Sequence, residues 1–223
     1  MSHIEMKNKE YKNNLIKSKN YRGMSLCTGR GNYPIDMRVD YLDKILKVMK
    51  KANEEYPRTM ILRVDLKFPK TKIYEKEGVI KRFVESLRSQ IDAEISRKRK
   101  HGRRTSKCTV RYVWTKERDS SINYHYHVGL FFNKDVYAFL GNMEMTGNLA
   151  YKVKKAWCSA LELEMEEGVG LVEFPKNRIY WLIKSSLDYE CQFDNAFRRL
   201  SYFAKVRTKV LGEGNRNFGC SFK

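Results

Sequence analysis

The tripeptide His125–Tyr126–His127 holds half of the chain's four histidines and lies inside an apolar, aromatic run, "NYHYHVGLFFN" at 123–133. Strand side chains alternate between faces with a period of two, so in a strand both imidazoles point the same way, with Gly129 and Phe131. Tyr124, Tyr126, Val128, Leu130 and Phe132 then point the other way and can build a core. Two imidazoles at this spacing can chelate one metal ion, and Gly129 next along that face leaves room beside them. The plain alternative is a pair of hydrogen-bonded core histidines, since His-x-His alone is a short pattern.

A neighbouring segment supplies an acid. "CTVRYVWTKE" (108–117) reads as a strand that forms a hairpin with the histidine strand. A register with Glu117 opposite His125 places Thr115 opposite His127 and Val113 opposite Gly129, and any register of that parity puts Glu117 on the histidine face. Two neutral imidazoles and one carboxylate suit a divalent ion that keeps positions open for a substrate oxygen and water. No cysteine falls at a ligand spacing, which argues against a closed structural zinc site.

A metal beside a basic surface points to phosphodiester chemistry, with water or a side chain as nucleophile. Tyrosine is abundant, with fourteen copies, and a lysine follows one helical turn later at Tyr41–Lys44, Tyr151–Lys154 and Tyr202–Lys205. The surroundings separate the three. In a final helix over roughly 193–209, Phe193, Ala196, Phe197, Leu200, Phe203 and Ala204 form one apolar stripe. Tyr202 lies almost opposite it, and Arg198, Lys205 and Lys209 share its side. A phenol among cations has its phenolate stabilised, and a phosphate can dock there. The plain alternative is a surface tyrosine that stacks on DNA bases. Tyr151 shares its face with Glu162, and Tyr41 opens a helix remote from the other motifs.

The elements that must hold these groups alternate in type. Residues 36–53 carry Leu42, Ile45, Leu46 and Met49 at helical spacing, and "TMILRVDLKFP" (59–69) reads as a strand. On that strand Arg63, Asp65 and Lys67 share a face; Asp65 either orients a histidine or simply pairs with its basic neighbours. A long helix is expected over 75–98, a shorter one over 148–165, and two strands at "VGLVEFP" (169–175) and "RIYWLIK" (178–184). Residues 1–24 read as a flexible basic tail, residues 25–223 as a single domain with a catalytic core at about 57–210, and the last dozen residues as irregular. The pattern is α+β: a mostly antiparallel sheet with helices packed on it.

Charge is the strongest global signal. Lysine and arginine number 45 against 26 aspartate and glutamate, a net +19, which attracts polyanions, usually nucleic acid. A solubility surface or an anionic membrane would also account for such a charge, and no amphipathic anchor is apparent. The segment "RKRKHGRRTSK" (97–107) concentrates Arg97, Lys98, Arg99, Lys100, Arg103, Arg104 and Lys107 with no acid, a loop suited to a phosphate backbone or to water. Five scattered cysteines fit reduced thiols. No apolar run approaches the roughly 18 residues of a membrane span, and the N-terminus lacks a signal-peptide pattern, so a cytoplasmic location with no membrane partner is expected.

"HYH" on a strand followed by a helical "YFAK" resembles the HUH endonucleases that initiate rolling-circle replication. The resemblance is closer to the inovirus Gp2-like replication proteins, also called the YagK/YfjJ C-terminal domain family, of filamentous phages and prophages. It is carried by "RVDLKFP" (63–69), "RYVWTKER" (111–118), "NYHYHVGLFFN" (123–133), "AWCSALEL" (156–163) and "LSYFAKVRTK" (200–209), in the family's order. It implies an RRM/ferredoxin-like variant in which His125 and His127 bind Mg²⁺ or Mn²⁺, with Glu117 as third ligand. Tyr202 would attack the scissile phosphate of a single-stranded or supercoiled origin, giving a 5′-phosphotyrosine and a free 3′-OH. Lys205 would steady the phenolate or the phosphate, and the host replication helicase and polymerase would be partners.

The function expected is therefore a phage or prophage replication initiator that nicks and rejoins origin DNA. A plasmid relaxase or a single-tyrosine transposase would use the same chemistry. A non-catalytic, RRM-like single-strand-binding module is the reading of another class. A two-histidine phosphoesterase would need a second His-x-Thr or His-x-Ser motif, and the sequence has none. No second tyrosine stands near Tyr202, so how a second strand transfer would be completed is open.

Overall fold

A computed structural model describes residues 14–70, 78–118, 123–207 and 216–221. Among these residues, four α-helices and ten strands follow in chain order. The first strands are short: β1 (Leu15–Lys17), β2 (Asn20–Tyr21), β3 (Met24–Ser25) and β4 (Asp36–Arg38). Then come α1 (Val39–Glu55), β5 (Arg58–Lys67), α2 (Val79–Lys100), β6 (Arg111–Glu117) and β7 (His125–Asn133). The remainder is α3 (Leu149–Leu161), β8 (Val172–Glu173), β9 (Ile179–Ile183), α4 (Tyr189–Ser201) and β10 (Phe218–Cys220).

One antiparallel sheet organises these elements in the order β10-β6-β7-β5, with β8 and β9 both pairing the far side of β5. β5 and β7 are its centre, and apart from their ends nearly every residue in them is buried. Strands covered on both faces need apolar residues at both parities, which the runs "TMIL" and "VGLFF" supply. Met60, Leu62, Val64 and Leu66 of β5 and Tyr126, Val128, Leu130 and Phe132 of β7 face one core, closed by α2, by α3 and by the fully buried Trp157. Ile61, Val113 and Phe131 face a second core under α1 and α4. Each fully buried large apolar side chain contributes about 1.5–3 kcal/mol. The α+β architecture read from the sequence is the one found.

Several boundaries differ. Residues 36–38 form β4, and the helix expected at 36–53 runs from Val39 to Glu55. α3 stops at Leu161, because Glu162 takes the left-handed conformation with φ 61°. The strand expected at 169–175 shrinks to two residues, and the C-terminal segment expected to be irregular contains β10. The expected tail is folded where it is described: β1 pairs β4, β2 pairs β3, and Leu26 just beyond them is buried. Residues 1–13 lie outside the described residues. No helix among the described residues is long and apolar enough to cross a membrane.

Candidate metal and tyrosine site

β7 lies between β6 and β5, so its histidine face meets both neighbours. Glu117 pairs with His125, Thr115 with His127 and Val113 with Gly129, the register expected from parity. On the other side Asp65 pairs with His127 and Lys67 with His125. One ligand atom each from Glu117, His125 and His127 lies within 4.8 Å of the others. The two Nε2 atoms face each other at 3.2 Å, and Glu117 Oε2 is 3.7 Å from His127 Nε2. Oxygen and nitrogen ligands about 2.1 Å from a small divalent ion stand about 3 Å apart in an octahedron, so this spacing is close to what such an ion needs.

The protonation pattern supports that fit. His127 Nδ1 sits 2.6 Å from Asp65 Oδ1, within a buried pair. Arg63 Nη2 also lies 3.4 Å from the same nitrogen. A guanidinium can only donate, so the shorter carboxylate contact decides: Nδ1 carries the proton and Asp65 accepts it. That leaves a lone pair on His127 Nε2, aimed at His125 Nε2. Two ring nitrogens in this position need a cation or a proton between them. Burial works against protonating His127, but the hydrogen bond to Asp65 and the nearby Glu117 carboxylate outweigh it and lift its pKa above the usual value. Burial likewise works against the Asp65 carboxylate, and His127, Arg63 and His125 together still hold its pKa below the usual value. Glu117 is 2% exposed. The side chains therefore suit a divalent cation, and Asp65 contacts both His127 at 2.6 Å and its basic neighbour Arg63 at 3.5 Å.

Tyr202 reaches this site by a route the helical wheel did not give. α4 ends at Ser201, and Tyr202–Ala204 form a 3-10 turn. The Lys205 Nζ donates to the Tyr202 hydroxyl at 2.6 Å and lies 3.3 Å from Glu117 Oε2. The Tyr202 and His127 rings meet edge to face at 5.6 Å, and the Arg63 guanidinium lies 5.3 Å from the Tyr202 ring centre. Phe203, fully buried, stacks on His127 at 6.1 Å. Backbone contacts clamp the turn: Lys205 bridges to Met37, and Val206 N donates to Asp36 O.

Gly129 has a different purpose from the one expected. It does not leave room for a ligand. A Cβ there would stand 2.8 Å from Leu200 Cδ2 and 3.1 Å from Val113 Cγ2. The missing side chain lets the end of α4 press onto β7, which carries Tyr202 to the histidines.

The other expected residues scatter. Arg198 is exposed and lines a groove beside β9, while its neighbour Arg199 turns toward Arg63 and Asp65. Lys209 lies outside the described residues. Arg97, Lys98, Arg99 and Lys100 form the last turn of α2, and Arg103, Arg104 and Lys107 follow it, all exposed except the partly covered Lys98. Asn133, at the opposite end of β7 from His125, holds the Lys107 carbonyl. At about 3.3 Å per residue, the length of β6 alone separates this basic segment from Glu117 by about 20 Å. Tyr41 is committed to a stack on Phe218 at 4.3 Å. Arg63, Arg199 and Phe203 were not expected as site residues. Only Arg63 carried a signal, its place on the Asp65 face.

Comparison with known proteins agrees along most of the chain. The YagK/YfjJ C-terminal domain family matches residues 7–221. "Uncharacterized protein YagK" of Escherichia coli (strain K12) is 40% identical over 194 residues, covering 82% of this chain and 92% of that protein. "Uncharacterized protein YfjJ" of the same strain is 35% identical over 193 residues, covering 81% and 93%. No solved structure matches. The chain belongs to the YagK/YfjJ C-terminal domain family.

Proposed function

We propose that this protein is an HUH-type, inovirus Gp2-like enzyme: a rolling-circle replication initiator of phage or prophage origin that nicks and rejoins single-stranded DNA through Tyr202. The observation that carries the reading is the Tyr202–Lys205–Glu117 chain, 2.6 and 3.3 Å, which joins a phenol to the carboxylate of the Glu117–His125–His127 cluster. Tyr202, Lys205 and the three candidate ligands thus lie side by side although they come from distant parts of the sequence.

His125, His127 and Glu117 would hold Mg²⁺ or Mn²⁺, and the bound ion would supply Lewis-acid polarisation of the scissile phosphate. Asp65 keeps the His127 proton on Nδ1, so Nε2 stays available as a ligand. The Tyr202 oxygen attacks phosphorus as its proton leaves to solvent, and Lys205 donates to that oxygen as negative charge develops. The P–O3′ bond breaks, the 3′ oxygen takes a proton, and the 5′ phosphate stays on Tyr202. The phosphotyrosine bond conserves the energy for rejoining, and the free 3′-OH is the end a polymerase extends. The net charge of +19 gives the long-range attraction for DNA.

The test is adduct formation. With single-stranded origin DNA and Mn²⁺, mass spectrometry should find the fragment that carries the 5′ phosphate linked to Tyr202. Tyr202→Phe should form no adduct while keeping its fold, and EDTA should stop the reaction. An adduct in Tyr202→Phe removes the nucleophile assignment, and nicking in EDTA removes the metal site. DNA binding without cleavage under any divalent ion would make the protein a single-strand-binding module.

A further inference from the structure

β5, β9 and α4 bring three arginines to one face of the sheet, one of them, Arg63, over the Tyr202 ring, and each leaves its Nε without a partner. Arg63 is 7% exposed, on the Asp65 face of β5. Its backbone N–H donates to the Arg178 carbonyl at 2.7 Å, which continues the β5–β9 register and sets Arg178 opposite Arg63. Directly opposite residues share a sheet face. α4 packs on that face, and the Arg199 side chain reaches toward the same place, donating to the Lys176 carbonyl. Burial lowers the pKa of Arg199, and the charge of Arg63 lowers it further, so the two guanidiniums repel.

Their hydrogen bonding is incomplete. The Nε atoms of Arg63, Arg178 and Arg199 are all buried without a hydrogen-bond partner. Arg63 Nε is 3.5 Å from Asp65 Oδ1, but that oxygen is already committed to His127 at 2.6 Å. A buried donor without an acceptor costs about 1–3 kcal/mol, more when charged. Three cations around one engaged carboxylate are stable together only if something anionic joins them. A groove of about 620 Å³ opens onto Arg199, walled by Tyr180 and Trp181 of β9 and by Gln192, Asn195 and Arg198 of α4. Aromatic and amide side chains along a cationic groove suit a single nucleic-acid strand.

We propose that Arg63, Arg178 and Arg199 bind a backbone phosphate of single-stranded DNA beside the scissile one, and that the β9–α4 groove takes the nucleotides flanking it. Which phosphate this is rests on the nicking reading; the anion site itself does not. Arg63 on β5 and Glu117 on β6 flank the histidine strand β7, so the anion site lies on the β5 side of the candidate ligands.

The experiment measures binding of a labelled oligothymidylate to the full chain in EDTA, so that no cleavage intervenes. Arg178→Gln and Arg199→Gln should each weaken binding about tenfold. The slope of log K against log salt should fall by about 0.7 per arginine. Arg199→Lys should recover the slope and only part of the affinity, because an ammonium lacks the fork. Lys81→Gln, on the outer side of α2, should change neither. The thermal midpoint without DNA should hold or rise in the glutamine variants, since a repulsion is relieved. Wild-type affinity and slope in both variants would overturn the proposal, as would lost thermal stability with an unchanged slope. Adduct formation, measured separately with Mn²⁺, keeps the two readings apart. Weakened binding in the variants with no adduct in the wild type leaves the anion site standing and ends the nicking reading. An adduct in the wild type with undiminished binding in both variants does the reverse.

Discussion

Among the described residues, a cluster of buried charge lies on each face of the sheet, and the two are built differently. On the α2–α3 face, Glu94 meets Lys98 at 2.5 Å and Lys152 at 2.9 Å, and accepts a hydrogen bond from the Tyr137 hydroxyl at 2.6 Å. Lys152 also donates to the Gly147 carbonyl. Burial works against the Glu94 carboxylate, yet Lys98, Tyr137 and Lys152 hold its pKa down at about 2. Each charge there has its complement. On the α1–α4 face, the Nε2 atoms of His125 and His127 face each other at 3.2 Å and three arginine Nε atoms have no acceptor. The first cluster is finished by the fold alone. The second keeps buried donors unmet, and that difference, more than burial or charge, is what makes it a candidate site.

Breaking the closed cluster should have the largest effect on stability. Glu94→Gln leaves Lys152 buried beside a neutral amide and should cost about 3–5 kcal/mol by denaturant titration, with Mn²⁺ affinity unchanged. The pH dependence follows from the depressed carboxyl. Its stabilisation is present above the ordinary value of 4.5 and is lost as pH falls from there toward about 2. Glu94→Gln should flatten that acid limb.

Gly129→Ala sharpens the contrast from the other side. The new Cβ overlaps Leu200 and should cost about 1–3 kcal/mol. Because it pushes the end of α4 away, adduct formation should fall more than Mn²⁺ binding does.

Asp65→Asn should weaken Mn²⁺ binding about 10–100-fold by calorimetry, since it no longer fixes the His127 tautomer. In the wild type, protons compete for His127, so affinity falls as pH drops through its raised pKa, about tenfold per unit. In Asp65→Asn this fall should move to lower pH. Without metal the sign reverses: the His127 contribution to stability is complete below about 6.5 and fades as pH rises through the raised value.

The smallest change is expected at the far end of the sheet. Arg103→Gln should leave adduct formation on short oligonucleotides untouched. On long duplex-flanked DNA it should reduce the salt slope by about 0.9, if the basic segment grips a backbone phosphate.

The histidine site was legible because strand parity is a strict rule. Parity alone puts His125, His127 and Glu117 on one face, with Asp65 on the same face of the next strand, and the paired register agrees. The Tyr202 position was reached through a wheel of 100° per residue, but the chain leaves the α-helix at Ser201 and turns more tightly, so the wheel's neighbours do not apply. Arg198, expected beside it, lines the β9 groove instead, and the cation over the Tyr202 ring on that side is Arg63. Gly129 was misread because a single sequence shows an absent side chain without showing what occupies its space. β10 escaped notice because three residues around a glycine carry almost no periodic signal; only the partner strand makes them a strand. The early segment 14–25 is polar in composition, and it is held by pairing of β1 with β4 and β2 with β3 and by a distant contact of Ser25 with Asp194.

Those contacts have a consequence in time. The tyrosine-bearing end of α4 is tied to the first part of the chain at four places. Ser25 N donates to Asp194 Oδ1, Cys27 N to Ser201 Oγ, and Asp36 and Met37 hold Val206 and Lys205. Contacts this distant in sequence form late, because a long loop must close before they are rewarded. A ribosome delivers the histidine strands well before Tyr202, and the clamp that aims the tyrosine waits for Val206. A nascent chain therefore brings the candidate ligands together while Tyr202 is still unmade.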